Sequence, residues 1–335
     1  MSPRNKIVIE PLSDETLSSW MWRVNSTESI PLMSHLQFGS PEGGLIKRDM
    51  LGLQGVKFAD RDLLSENAFI QPFKQTFGIS SFWLKTRFPE FNQLTIPAQF
   101  RRAFCPDCFM ESFRRVGIPV SKVQWCYLTQ PICELHGMPL LDSTELFINH
   151  NDYTVQAFVL YWDEPQFKEN MNNVRSAWRQ THSLALRVQR QFQRLLRRAF
   201  KSGEDFKVQM FMLSLMRAMM MPALHHAYPK IAFYNWGGAD PYAGFGVHGD
   251  FYLEIYRSTC LARLHSLYLS GIALGWITSE QSRKALRENY FAPSSSAHIW
   301  SGIGNYSVVI GLLRSELKCY ETQHLNTIDL NIPGL

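Results

Sequence analysis

Two short cysteine motifs are the residues in this chain best suited to chemistry. Cys105 and Cys108 stand as Cys-x-x-Cys, and Cys133 and His136 as Cys-x-x-His, with 24 residues between the pairs. In a Cys-x-x-Cys knuckle two thiolates converge on one point while backbone N–H groups face the sulfurs. Two knuckles supply four nitrogen or sulfur donors, the requirement of a closed tetrahedral zinc site. Four protein ligands leave no position for water or substrate, so the chemistry expected is a structural zinc. Pro106 and Gly137 follow the first and last ligands and suit tight turns. Cys126 is an alternative fifth donor, seven residues before Cys133. A disulfide framework does not fit a chain of 335 residues that opens without a signal segment.

A second group of residues is cationic. Between Val174 and Lys201 there are eight Arg or Lys and no Asp or Glu. Arg187, Arg190, Arg194, Arg197 and Lys201 recur every three or four positions, within about a quarter of a helix circumference, and Arg198 lies beside them. Leu184, Val188, Phe192, Leu195, Leu196 and Ala199 make the opposite side. A face kept only for solubility mixes signs. The expectation is therefore contact with a phosphate backbone, RNA or DNA, or with an acidic protein surface.

Other constellations carry less. His225, His226, His248 and Asp250 match no metal-ligand spacing. The glycines from 237 to 249 lack the Gly-Lys-Ser/Thr ending of a phosphate-binding loop, so nucleotide binding is not expected. No triad and no paired carboxylates stand out. A chain without an open metal position or a general base is expected not to be an enzyme.

The elements that position these residues can be read from pattern. Ser13 or Asp14 suits a helix N-cap, with Leu12 and Leu17 at staple spacing. Leu17, Trp20, Met21 and Val24 then make a buried helical face, and Trp20 reads as core. Residues 39–44 form a loop. A helix is predicted over Asp62–Phe77, with Phe69, Phe73 and Phe77 four apart. Gly78 ends it, Ser80 caps the next, and Phe82–Phe88 follows. Helix, glycine turn and capped helix outline a helix-turn-helix. Its second helix, Ser81-Phe82-Trp83-Leu84-Lys85-Thr86-Arg87, is too apolar for reading bases. A protein contact is expected of it.

The second half reads as helical. The methionines between 207 and 221 read as core filler. Pro222 ends that helix. A long apolar segment spans Phe251–Trp276. Thr278 and Gln281 have capping-box spacing and open a helix to about Asn289. A last helix is expected over Tyr306–Tyr320, and a loose tail from Glu321.

The ordered residues also carry a resemblance. Cys105-Pro106-Asp107-Cys108, then Val123-Gln124-Trp125, then Pro131-Ile132-Cys133-Glu134-Leu135-His136-Gly137 and Met138-Pro139-Leu140-Leu141 resemble the zinc-binding signature of TniQ/TnsD transposition proteins. Pro11-Leu12-Ser13-Asp14-Glu15-Thr16-Leu17-Ser18-Ser19-Trp20, with Arg23, resembles that family's opening pattern. The resemblance covers about residues 8–145. It implies a helix-turn-helix ahead of the zinc site. It also implies a non-catalytic adaptor that chooses where a transposon inserts. Such an adaptor recruits an AAA+ ATPase regulator, TnsC, and through it the transposase. Some relatives carry a second four-cysteine ribbon. Only Cys260 and Cys319 remain here, far apart, so a compact version is implied. A short chain of this kind resembles the TniQ of CRISPR-associated transposons, which rides as a dimer on a guide-RNA surveillance complex of the Cascade type. The alternative is a TnsD-like selector that recognises a DNA site itself.

The expected fold is mainly α: a helix-turn-helix region over 1–100, a small zinc ribbon over 101–145 and an all-helical domain over 150–335. The formal net charge of +5 is compatible with nucleic acid or an acidic partner. No apolar run reaches the length of a membrane span, and the cytoplasm is the expected compartment.

Overall fold

The structure is a computed structural model. It describes residues 9–28, 62, 64, 70–88, 94–97, 100–142, 162–163, 165, 168–169, 179–203, 205–220, 255–256 and 258–286. These residues are mainly helical. They fall in two compact units, one of residues 1–127 with 141–168 and one of 128–140 with 169–335. The glycine segment 234–250, the histidine and Asp250 cluster, the loop 39–44, Pro222, Cys319, the last helix and the tail lie outside the described residues.

In the first unit α1 (Leu17–Glu28) presents the expected apolar face. Leu17, Trp20, Met21 and Val24 pack with Ile70 and Ile79 and with Leu84 and Phe88 in one core cluster. Trp20 is fully buried, as its spacing predicts. Its indole Nε1 donates to Ile9 O at 2.7 Å.

The start of α1 differs from the sequence expectation. Neither Ser13 nor Asp14 caps it. The Thr16 hydroxyl accepts from Ser19 N at 3.3 Å, and Asp62, distant in sequence, accepts from Ser18 N at 2.9 Å. Two of the orphan N–H groups are thus satisfied one turn later than the pattern suggests. Asp14 instead takes a left-handed backbone, φ 61°, and accepts from Gln124 N. The reason is Glu15. Its carboxylate is buried and forms a two-pronged pair with Arg23, at 3.1 and 2.8 Å, while also accepting from Leu12 N at 2.8 Å. Drawing Glu15 inward moves the helix start past it. Removing one partner of so buried a pair would cost about 3–5 kcal/mol, because the other charge is left unmatched.

Helix α2 (Ile70–Phe77) ends at Gly78, φ +65°, and α3 (Ser81–Arg87) starts from Ser80, whose hydroxyl accepts from Trp83 N at 3.1 Å. Both signals were legible. The described helix begins at Ile70; residues 63 and 65–69 lie outside the described set. Leu84 alone of α3 is fully buried, and Trp83 leans on Trp20 with ring centres 5.5 Å apart. Phe82 is 80% exposed.

Two further pieces bracket the cysteine segment. Strand β1 (Ala103–Phe104) pairs antiparallel with β2 (Leu141–Asp142), Ala103 opposite Asp142 and Phe104 opposite Leu141. Helix α4 (Pro106–Val116) leaves β1 at once and ends at Gly117, φ +74°. Its Phe109 stacks on Phe104 and meets Trp125 edge-on at 4.9 Å.

The second unit holds α5 (Arg179–Ser202), α6 (Asp205–Met220), α7 (Cys260–Ala273) and α8 (Ser279–Leu286). Ala185, Val188, Phe192 and Ala199 form the buried stripe of α5, facing α6 and α7. Met212, Met216 and Met219 are buried, as core filler should be. A side chain at Gly271 would collide with Val188, so glycine lets α7 lie close against α5. The capping box is present in full: Thr278 Oγ1 accepts from Gln281 N, and Gln281 Oε1 accepts from Thr278 N. No helix among the described residues is long and apolar enough to cross a membrane.

Candidate metal centre

Each knuckle owes its shape to a different local device. Cys105 is the N-cap of α4, with extended φ and ψ, and Pro106 takes the first helical position, where a missing N–H costs nothing. Cys108 follows within the first turn. Both sulfurs therefore sit at the positive end of a helix, which favours the thiolates a metal needs. The first knuckle is thus a helix start, where the sequence suggested a tight turn at Pro106.

The second knuckle is a hairpin. Ile132 bridges Pro139, Leu140 N donates to Pro131 O at 2.9 Å, and Cys133 N donates to Met138 O at 2.9 Å. Gly137 closes the turn with φ +63°, its N–H donating to Cys133 O at 2.8 Å. Only glycine enters that backbone region freely.

A residue that sequence reasoning missed holds this hairpin. Gln189 of α5 is fully buried. Its Oε1 accepts from Ile132 N at 3.2 Å and its Nε2 donates to Ile132 O at 2.9 Å, one residue before Cys133. The signal available was a glutamine adjacent to Val188 at a buried position of α5, a side that also holds Thr181 and His182.

The donor atoms of Cys105, Cys108, Cys133 and His136 all lie within 4.8 Å of one another, the three cysteines buried and His136 half-buried. His136 Nδ1 is 3.5 Å from Cys133 Sγ. The set can hold a metal ion. Cys126 stays outside it: it is buried, and its thiol points to Lys122 O at 3.9 Å. Beside it the Tyr127 hydroxyl is pushed up to about 12, chiefly by burial and then by Cys126 and Asp14. The five described cysteines form no disulfide.

The basic residues divide. Arg187 is half-buried, and its Nη2 donates to Trp276 O at 2.8 Å and to Gln281 Oε1 at 2.7 Å. It ties α5 to the start of α8, because its position lies at the edge of the strip nearest the buried side. Arg190, Arg194, Arg197, Arg198 and Lys201 are exposed.

Comparison with protein-family models, with curated proteins and with solved structures finds no match. The resemblance to TniQ/TnsD proteins therefore rests on the residues of the two sequence motifs alone.

Proposed function

We propose that this chain is a non-catalytic target-selection adaptor for DNA transposition. In this reading it links a guide-RNA surveillance complex of the Cascade type to the AAA+ regulator TnsC, and through it to the transposase. It works in the cytoplasm as a homodimer. The observation that carries the reading is the convergence of the four signature side chains, Cys105, Cys108, Cys133 and His136, within 4.8 Å. Residues that matter to the resemblance also turn out to be structural partners: Glu15 and Arg23 of the opening motif form its buried ion pair.

The metal we assign is zinc. Three sulfurs and one imidazole nitrogen suit it, and a closed set of four makes it structural. Bonds of about 2.3 Å to sulfur and 2.0 Å to nitrogen give a tetrahedral edge of about 3.5 Å. The 3.5 Å between Cys133 Sγ and His136 Nδ1 is in keeping with that edge. Bound, the zinc would hold the two knuckles and take no part in a reaction.

We read α2, Gly78 and α3 as a helix-turn-helix that meets protein. The 80% exposed ring of Phe82 supports this. The same helix also exposes Lys85, Thr86 and Arg87, which favours a second reading, a TnsD-like selector that binds its DNA site directly. One experiment separates the two. The purified chain is offered TnsC, the surveillance complex and a panel of candidate duplexes. The adaptor reading expects capture of both protein partners and no sequence-specific shift of duplex by the chain alone. A specific shift without the surveillance complex would transfer the function to the second reading, and no capture of TnsC would overturn both.

A further inference from the structure

The exposed strip of α5 carries more than charge. Among the described residues none of Arg190, Arg194, Arg197, Arg198 and Lys201 forms a salt bridge. Arg194 reaches Gln191 of its own helix at 3.4 Å. From 170 to 203 the chain contains no acidic residue. A helix C-terminus attracts cations through its dipole, which accounts for Arg198 and Lys201. That field fades within the last turn and leaves Arg190 and Arg194, about two to three turns back, unexplained.

Two aromatic rings stand at the end of this strip. Phe200, beside Lys201, is 76% exposed, and Phe206, in the first turn of α6, is 54% exposed. They flank the turn at Gly203, φ +74°. Phe200 lies about 60° around the helix from Arg197, at the border of the cationic face. A single exposed phenylalanine is ordinary. Two beside five cations are the combination that binds single strands: cations track the phosphates and rings take the base faces. A duplex keeps its base faces stacked, so it uses the cations and leaves the rings idle. An acidic protein surface likewise matches the charge and gives the rings no flat partner.

We propose that this strip is a binding site for a single nucleic-acid strand, its backbone running along Arg190, Arg194, Arg197 and Lys201 and its bases stacking on Phe200 and Phe206. From Arg190 to Lys201 the helix rises about 16 Å. At about 3.4 Å per nucleotide of a stacked strand, the strip faces about four or five phosphates. The site rests on α5 and α6, not on the metal centre or on the adaptor reading.

The test is fluorescence anisotropy with the full chain and four probes: an oligo(U) RNA of about 15 nucleotides, the matching oligo(dT), a duplex of that length and polyglutamate, across about 50 to 200 mM salt. Both single strands should bind more tightly than the duplex, with a log–log salt slope near about −3. The Arg190→Gln, Arg194→Gln, Arg197→Gln triple variant should lose about tenfold or more in affinity and about 2 in slope. The Phe200→Ala, Phe206→Ala variant should also lose about tenfold, with the slope unchanged, because stacking releases no counterions. Circular dichroism and metal content should match wild type in both. A difference between the RNA and DNA arms would show whether the sugar is read, within the same site. The site is overturned if neither strand binds at the lowest salt. It is equally overturned if the phenylalanine variant binds as wild type, or if duplex or polyglutamate binds as well as the strands. The polyglutamate outcome would make the strip an acidic-protein contact. Each of these failures leaves capture of TnsC unaffected, so the adaptor reading is judged separately.

Discussion

At the scale of single residues, the sharpest tests fall on buried polar and titratable groups. Cys133 and His136 are the sharpest case. Binding energy at a structural metal is folding energy, since the unfolded chain has no preformed site. Cys133→Ser and His136→Ala should each reduce bound metal from about one per chain to little, lower the melting temperature and lower soluble yield. Elemental analysis and thermal melts read this directly, and metal-free protein of undiminished stability would contradict it. His265 makes a second case. It is buried on α7, and burial, then the neighbouring His182, holds its imidazole well below its ordinary value of 6.5. The folded state keeps it neutral while an unfolded chain protonates it. Stability from this residue is present above pH 6.5 and is lost as pH falls below it. Between pH 7.5 and about 5.5 wild type should lose more stability than His265→Gln, measured as urea midpoints at the two pH values. Equal losses in both proteins would show that His265 is not the group responsible.

At the scale of elements, helices here are positioned by side chains that reach backbone. Arg187 reaches Trp276 O, Ser266 reaches Met216 O at 3.1 Å, and Gln189 closes both polar groups of Ile132. Gln189 is the one with a consequence for the candidate metal site. Gln189→Leu keeps the volume and apolar character of the α5 stripe but orphans a buried N–H and a buried C=O. The expected cost is about 2–4 kcal/mol. Loosening Ile132 should also loosen Cys133 beside it, so metal should be lost faster to a chelator than in wild type. Gln189→Glu retains an acceptor for Ile132 N and should fall between the two. A variant with normal stability and normal metal retention would remove Gln189 from the support of the hairpin.

At the scale of the whole molecule, the proposed homodimer draws on the apolar and aromatic character of the α2–α3 region, where Phe82 is 80% exposed. Sedimentation at micromolar concentration should give about twice the chain mass of 38.8 kDa. Phe82→Ser should shift it toward the monomer with α3 still folded, because Phe82 contributes nothing to the buried core. A monomer at high concentration in the wild type would count against the dimer, and with it against one part of the adaptor reading.

Sequence alone determined the local features, because their physics is local. The glycine turn at 78, the Ser80 cap, the Thr278–Gln281 box, the two cysteine knuckles taken singly and, within the expected α5 stripe, the burial of Val188, Phe192 and Ala199 are each set by a few neighbouring residues and a fixed period; Leu184, Leu195 and Leu196 of that stripe are only half-buried. The features that sequence missed depend on side-chain partners that a periodic pattern does not name, most of them far apart in the chain. Glu15 looked like a favourable charge at a helix start; only folding shows that Arg23 draws it inward and leaves Thr16 and Asp62 to cap α1. Gln189 looked like one polar residue in a stripe; its partner is 57 positions away. Arg187 belonged by spacing to the cationic face, and its partners, 89 and 94 positions away, withdraw it. Periodicity places a side chain on a helix face, but what that face meets is decided when distant segments pack. Buried polar groups, which must find partners or cost stability, are where that decision is most visible.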